Sequence, residues 1–339
     1  MSEGEVAEAG TSSPRQNVAL VSSQAPALDL RSLYCATMRP LLHIGYYKTG
    51  TTFLQTRIFP EPGFFLVAKS MALWSSFVEV DPFTWSPSKA RETFETGIRE
   101  AAERGLVPVL SAERLSGNPD SGGYDSVHVA EYLAATFPEA RVLIVIREQA
   151  DMLVSSYKRY VRNGGPGTLR QYGSPPWGPP RPPHFDLSYF EYHRLIGLYH
   201  DLFGPENVLV LPYELLSDRP RTFLKRLGGF AGAATAADSH FEPVNASLSA
   251  LSLAFKRHAN RWVVRDPLNP APPFEIDGAN QRLLELCAAA DPKIPSSLRR
   301  RSERRLRNIS RDIVGDRYAE SNAATSRLTN LDLHSYGYA

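Results

Sequence analysis

The stretch His43-Ile44-Gly45-Tyr46-Tyr47-Lys48-Thr49-Gly50-Thr51-Thr52-Phe53-Leu54-Gln55 reads as a strand end, a tight loop and a helix start, with a lysine inside the loop. Leu41 to Ile44 is a short apolar run after Arg39-Pro40, the pattern of a buried strand. Gly45 and Gly50 open backbone angles that a side chain disfavours. Thr51 to Ile58 then predicts a helix with Phe53, Leu54 and Ile58 on its apolar side. The free N–H groups of its first turn point to the loop at the positive end of the helix dipole. Thr51 and Thr52 add hydroxyls, and Lys48 adds a cation. Backbone amides plus one fixed cation are a way of holding a phosphate.

Gly45 and Gly50 have the glycine spacing of the nucleotide-triphosphate loop G-x-x-x-x-G-K-[ST]. The residue after Gly50 is Thr51, however, and the lysine lies back in the loop at position 48. The Lys-Ser/Thr pair that reaches the β/γ-phosphates and holds Mg²⁺ is missing. The loop suits one phosphate-like group and a leaving oxygen, with no metal expected.

Lys48-Thr49-Gly50-Thr51-Thr52 resembles the 5′-phosphosulfate-binding loop of sulfotransferases, and the longer H-I-G-x-x-K-T-G-T-T-x-L-Q form is similar to bacterial-type members. The resemblance implies 3′-phosphoadenosine 5′-phosphosulfate as co-substrate and an α/β fold of the P-loop nucleotide-kinase-like kind, a three-layer sandwich with a central parallel sheet. A second block agrees. Arg141 to Ile146 is the clearest buried strand, Arg147 follows it, and Ser155 lies eight residues further on, in a helix expected over Asp151 to Arg162. This resembles the family's 3′-phosphate motif, with Arg147 and Ser155 as the holders. Arginine's planar fork suits a terminal phosphate. Both blocks sit at carboxyl ends of strands, where open α/β sheets bind ligands. A strand-end ion pair is the plainer explanation of Arg147. Phe53 stands where the family often stacks an aromatic on adenine, though it fits the core equally well.

Sulfuryl transfer needs a base for the acceptor hydroxyl and a cation for the leaving phosphate. Val107 to Ser111 predicts another strand, with Ala112-Glu113-Arg114 leaving its end. Cytosolic sulfotransferases place a histidine at the comparable position, and other branches a glutamate. By that order Glu113 is the candidate base and Lys48 the catalytic cation. A surface glutamate paired with Arg114 or Arg147 is the alternative. His184 is the runner-up base, and His43 is expected to pack or hydrogen-bond locally.

The chain has 339 residues, 42% of them hydrophobic, which is enough for one large core. A net charge of +2 implies no global field for nucleic acid. Cys35 and Cys287 lack metal spacing and suggest a reducing compartment. No signal peptide or membrane span is expected, so a cytoplasmic location follows. Residues 1–38 are expected to be a mobile N-terminal arm, and 39–339 a sulfotransferase domain.

Within that domain Ser88 is expected to cap a helix running to about Arg104, Val127 to Phe137 to form another, and Leu187 to Phe203 a third. Helices alternating with apolar strands predict a parallel sheet covered on both faces. Residues 164–185 hold seven prolines and read as an irregular insert, either a lid bringing Tyr172 and Trp177 to the acceptor or a surface loop. Val208 to Leu211 predicts a strand, Pro220 to Phe230 a helix, and the block ending Pro212-Tyr213-Glu214 is also similar to the family. From about residue 246 the chain reads as helical. Arg299, Arg300, Arg301, Arg304, Arg305 and Arg307 form a basic cluster there, either a solvated helix face or a contact for an anionic acceptor or membrane surface. The expected enzyme is a sulfotransferase acting on a carbohydrate, lipid or small-metabolite hydroxyl. A metal-dependent small-molecule kinase with a deviant loop and a non-catalytic phosphate-binding protein are the alternatives.

Overall fold

Five short strands, each apolar enough to be buried on at least one face, set the frame. β1 (Leu41–Gly45), β2 (Phe64–Lys69), β3 (Val107–Ser111), β4 (Arg141–Ile146) and β5 (Val208–Pro212) form one parallel sheet in the order β2-β3-β1-β4-β5. The computed structural model describes residues 39–60, 62–174, 185–234, 248–265 and 269–339. Residues 1–38, with Cys35, and Trp177 and His184 lie outside them. Among the described residues no helix is long and apolar enough to cross a membrane.

Alternation along the strands builds two cores. Leu42, Ile44, Leu110, Val142, Ile144 and Ile146 face one side, packing on Phe94, Leu133, Leu153 and Ile196. Leu41, Val109, Leu143, Val145 and Leu211 face the other, packing on Leu54, Ile58, Phe223 and Leu227. This is the three-layer α/β sandwich with a central parallel sheet that was expected. β1 lies in the middle, so the lysine loop emerges between the ends of β3 and β4.

Several local expectations are corrected. The helix expected from Ser88 runs over Pro87–Glu103. Ser88 lies inside its first turn, because proline at the first helical position is compatible with a start one residue earlier. The Leu187–Phe203 stretch breaks into a 3₁₀ turn, Leu187–Phe190, and a helix, Tyr192–Phe203. The 164–185 insert is not wholly irregular. Leu169–Gly173 is a short helix closed by a Thr168/Gln171 capping box. Tyr172 is buried there, stacked on Phe185 with 4.4 Å between ring centroids, so it serves the core and not the acceptor. β2 and the following helix Met71–Phe77 were not foreseen.

The carboxyl-terminal helices Ala250–Val263 and Ser296–Val314 pack on the Gln149–Arg162 helix. Ser310 donates to the Ala150 carbonyl at 2.6 Å. The Glu303 carboxylate accepts from Lys158 at 2.8 Å and from the Ala250 amide at 2.8 Å.

Candidate active site

The lysine loop is shaped by two close approaches. Gly45 has φ 101°, and a Cβ there would lie 2.9 Å from the Cα and carbonyl oxygen of Glu113. Only glycine lets the end of β1 rest on the Glu113 backbone. Gly50 has φ 88°, and a Cβ there would meet Leu216 Cδ2 at 2.8 Å. Between them Lys48 itself adopts φ 62°. For a residue with a side chain this left-handed backbone costs on the order of 1–2 kcal/mol, strain of the kind found at functional sites. Thr49 turns inward, donating from its hydroxyl to the Tyr46 carbonyl at 2.5 Å, and does not line the cleft. The helix then starts at Thr51 and runs on as a π-type turn over Leu54–Ile58.

Loop, β3 end and β4 end open into one cleft of ≈ 310 Å³. Lys48, Gly50, Thr51, Thr52, Phe53, Glu113, Arg147 and Ser155, all singled out from sequence, line it together. Phe53 reaches the cleft but is 4% exposed and packs within the second core.

Arg147 is held from three sides. It donates to the Lys48 carbonyl at 3.2 Å, its guanidinium lies 4.7 Å from the Tyr213 ring centroid, and Asp151 Oδ2 is 4.0 Å away. Its own carbonyl accepts from Tyr192 at 2.6 Å. The strand-end ion pair is therefore long, and most of the restraint comes from the loop carbonyl and an aromatic face. The Gln149–Arg162 helix begins two residues before the expected Asp151, because the Glu148 carboxylate accepts from the Ala150 and Asp151 amides at 2.8 Å each. That cap aims the helix's first turn at Arg147 and brings Ser155 to the cleft.

Glu113 opens a 3₁₀ turn after β3. Its neighbour Arg114 pairs with Asp125 instead. Among the described residues the Glu113 carboxylate has no ion pair or hydrogen bond, so the alternative of a surface pair is not what forms. His43 is fully buried, with Nδ1 2.7 Å from Ser111 Oγ, and Gln55 donates to the Ser111 carbonyl at 2.8 Å. Burial holds its imidazole down at about 3, so it is neutral and ties β1 to β3 and to the loop helix.

Charge in the cleft is unbalanced. Burial lowers the Lys48 ammonium below the ordinary lysine range, Arg162 and Arg159 lower it further, and Glu113 works the other way. Arg159 pairs with Asp120 at 2.6 Å and lies over the Tyr47 ring at 4.6 Å, while Arg162 has no ion pair among the described residues. Thr51 Oγ1 and Arg147 Nε are buried without a hydrogen-bond partner. Unpaired buried donors beside several cations are what an anionic ligand with many acceptor oxygens would satisfy.

Sequence reasoning gave no site role to Asp151, Val154, Lys158, Arg159, Arg162 and Glu303, which complete the lining together with Tyr213 of the family-like block and Arg307 of the basic cluster. Arg307 sits 3.6 Å from Asp151. The chain's last residues also brace the site. Tyr338 is 2% exposed and donates to Glu214 at 3.1 Å, and the other Glu214 oxygen accepts from the Glu148 amide at 3.0 Å. Asn322 donates to the Ala339 carbonyl at 2.6 Å and accepts from Gln149 at 2.6 Å. Burial raises the pKa of both Glu148 and Glu214.

Residues 125–237, about a third of the chain, match a family model described as the sulfotransferase family. This segment holds β4, Arg147, Ser155, β5 and Tyr213; the lysine loop and Glu113 precede it. A solved sulfotransferase from Alicyclobacillus acidocaldarius is similar at 19% identity and a TM-score of 0.43, covering 71% of this chain and 98% of that one. No curated protein matches. Residues 125–237 are thus what this chain has in common with the sulfotransferase family, as a likeness.

Proposed function

We propose that the chain is a sulfotransferase that moves a sulfuryl group from 3′-phosphoadenosine 5′-phosphosulfate to an acceptor hydroxyl. The observation that carries this is the shared cleft. Lys48, Thr51 and Thr52 meet Arg147 and Ser155 across it, with an unpaired carboxylate, Glu113, on the same wall. The residues fit the donor chemically. Thr51 Oγ1, the first-turn amides and Lys48 would hold the 5′-phosphosulfate, and the Arg147 fork with Ser155 the 3′-phosphate.

In this mechanism the bond from sulfur to the acceptor oxygen forms as the bond from sulfur to the 5′-phosphate oxygen breaks. Glu113 takes the acceptor's proton, and Lys48 stabilises charge on the departing oxygen. One such donor in a water-excluded site contributes about 3–4 kcal/mol. The products are a sulfated acceptor and 3′,5′-bisphosphoadenosine. The acceptor is a small molecule or a glycan, and the chemistry derived for these residues routes no step through a metal.

The proposed domain is 39–339, with the helices after about residue 246 closing one side of the cleft through Glu303 and Arg307. A cytoplasmic location goes with it, on the sequence pattern of isolated cysteines. The test is a titration with 3′,5′-bisphosphoadenosine in competition with Mg-ATP, followed by transfer of labelled sulfuryl group to a panel of hydroxylated acceptors. Glu113→Gln is expected to lower turnover strongly and leave bisphosphoadenosine affinity near wild type. Preferential binding of Mg-ATP would point to a kinase and end this assignment.

A further inference from the structure

A second cleft, of ≈ 640 Å³, runs along the Ser296–Val314 helix and shares Glu303 and Arg307 with the first. Arg300, Arg304, Arg307 and Arg311 line it at spacings of four, three and four residues, which puts them on one helix face. All four are exposed. At 1.5 Å per residue they span about 16 Å, and the third of them, Arg307, lies beside Asp151 at the mouth of the donor cleft.

Such a row is costly for a helix. Like charges three and four residues apart repel, and acids at that spacing would relieve them. The two carboxylates of the second cleft are already engaged elsewhere. Asp291 accepts from the hydroxyls of Ser249 and Ser252 at 2.5 Å each. Glu303 is held by Lys158 and by the Ala250 amide. Arg300, Arg304 and Arg311 have no ion pair among the described residues, and Arg307 has only the 3.6 Å approach to Asp151. A local arrangement that works against its own helix without internal compensation marks a surface shaped for a ligand.

We propose that this cleft is the acceptor groove and takes a linear polyanionic glycan, a chain bearing carboxylates or sulfates, whose hydroxyl enters the donor cleft past Arg307. The proposal rests on the sulfotransferase function above and names its acceptor class. A lipid surface is the poorer occupant. Every described residue lining the cleft is polar, so nothing there would enter an acyl layer.

The test measures binding of fluorescent oligogalacturonate and of dextran sulfate, with neutral dextran as control. It compares wild type with Arg300→Gln/Arg304→Gln/Arg311→Gln. These three residues lie outside the donor cleft. The triple variant is expected to lose tenfold or more in affinity, on the order expected for three charge contacts, with a shallower dependence on salt. Its 3′,5′-bisphosphoadenosine affinity should be unchanged. The corresponding Arg→Lys triple variant should keep most of the binding, and Arg304→Gln alone serves if the triple variant melts early.

A control variant, Arg99→Gln/Lys225→Gln/Arg226→Gln, removes the same charge from exposed positions elsewhere. Equal loss in that control would overturn the groove, as would no binding by wild type. Arginine-dependent binding only to phosphatidylserine vesicles or to single-stranded DNA would overturn it in favour of those partners. Sulfuryl transfer that is as efficient to neutral as to anionic glycans would overturn it too. If anionic glycans bind through the arginines but bisphosphoadenosine does not bind wild type, the groove stands and the sulfotransferase function falls.

Discussion

Replacing Arg147 separates a ligand-reading arginine from a structural one. The side chain does two jobs that can be weighed apart. It donates to the Lys48 carbonyl at 3.2 Å, which steadies the loop for any ligand with a 5′-phosphate. Its buried Nε has no partner, and its guanidinium is set on the Tyr213 ring, which leaves the fork aimed into the cleft. Losing an ordinary hydrogen bond costs about 1 kcal/mol, roughly a fivefold loss of affinity. Losing charge-assisted bonds to a phosphate costs about 1.5–3 kcal/mol more, roughly ten- to a hundredfold. Arg147→Ala should therefore weaken adenosine 5′-phosphate about fivefold and 3′,5′-bisphosphoadenosine about fifty- to several hundredfold. Arg147→Lys should recover only part of the difference, because an ammonium lacks the fork and stacks less well. Isothermal titration of both ligands against the wild type and both variants gives the comparison. Equal losses for the two ligands would refute the 3′-phosphate role and leave Arg147 as a brace for the loop.

Three further outcomes are expected. Lys48→Ala should lower turnover on the order of a hundredfold or more, and the wild-type affinity for bisphosphoadenosine should fade with rising pH earlier than an ordinary lysine would dictate, since burial and Arg162 and Arg159 lower its pKa. Unchanged turnover would remove the lysine from the chemistry. His43 is held near 3 in the fold against 6.5 unfolded, so its contribution to stability is complete above about pH 6.5 and is lost as pH falls toward 3. His43→Gln should therefore melt lower at pH 7 yet lose less on acidification, and melting curves with parallel pH dependences would contradict this. Tyr338→Phe removes the bond to Glu214 and should weaken bisphosphoadenosine by a few fold with little loss of helix signal by circular dichroism, whereas unchanged affinity would make the carboxyl-terminal tail irrelevant to the site.

How much could be read along the chain depended on how local the cause was. The lysine loop, β1, β3, β4 and the helix carrying Ser155 are specified by nearby residues, namely short apolar runs, the glycines of the loop and the apolar periodicity of the helix. β2 escaped because it is an edge strand. Its side chains are half exposed, and it is a strand through backbone pairing to β3. Ser88 resembled a cap, but no residue type announces which of several serines lies at the boundary. Tyr172 sat among prolines and looked like loop, yet its ring found the buried face of Tyr157, Tyr160 and Phe185.

Residue order alone determined that this chain would build a parallel sheet with a phosphate-type loop at one strand end and an arginine at another, because periodicity and glycine placement act over a few residues. Only the tertiary structure decided that Gly45 rests on Glu113, that Tyr213 backs Arg147, that Tyr338 reaches Glu214, and that an arginine row from the carboxyl-terminal part meets the donor cleft. Each of these joins segments far apart in the chain. Such contacts follow from how layers pack and charges find partners, and no local pattern encodes that.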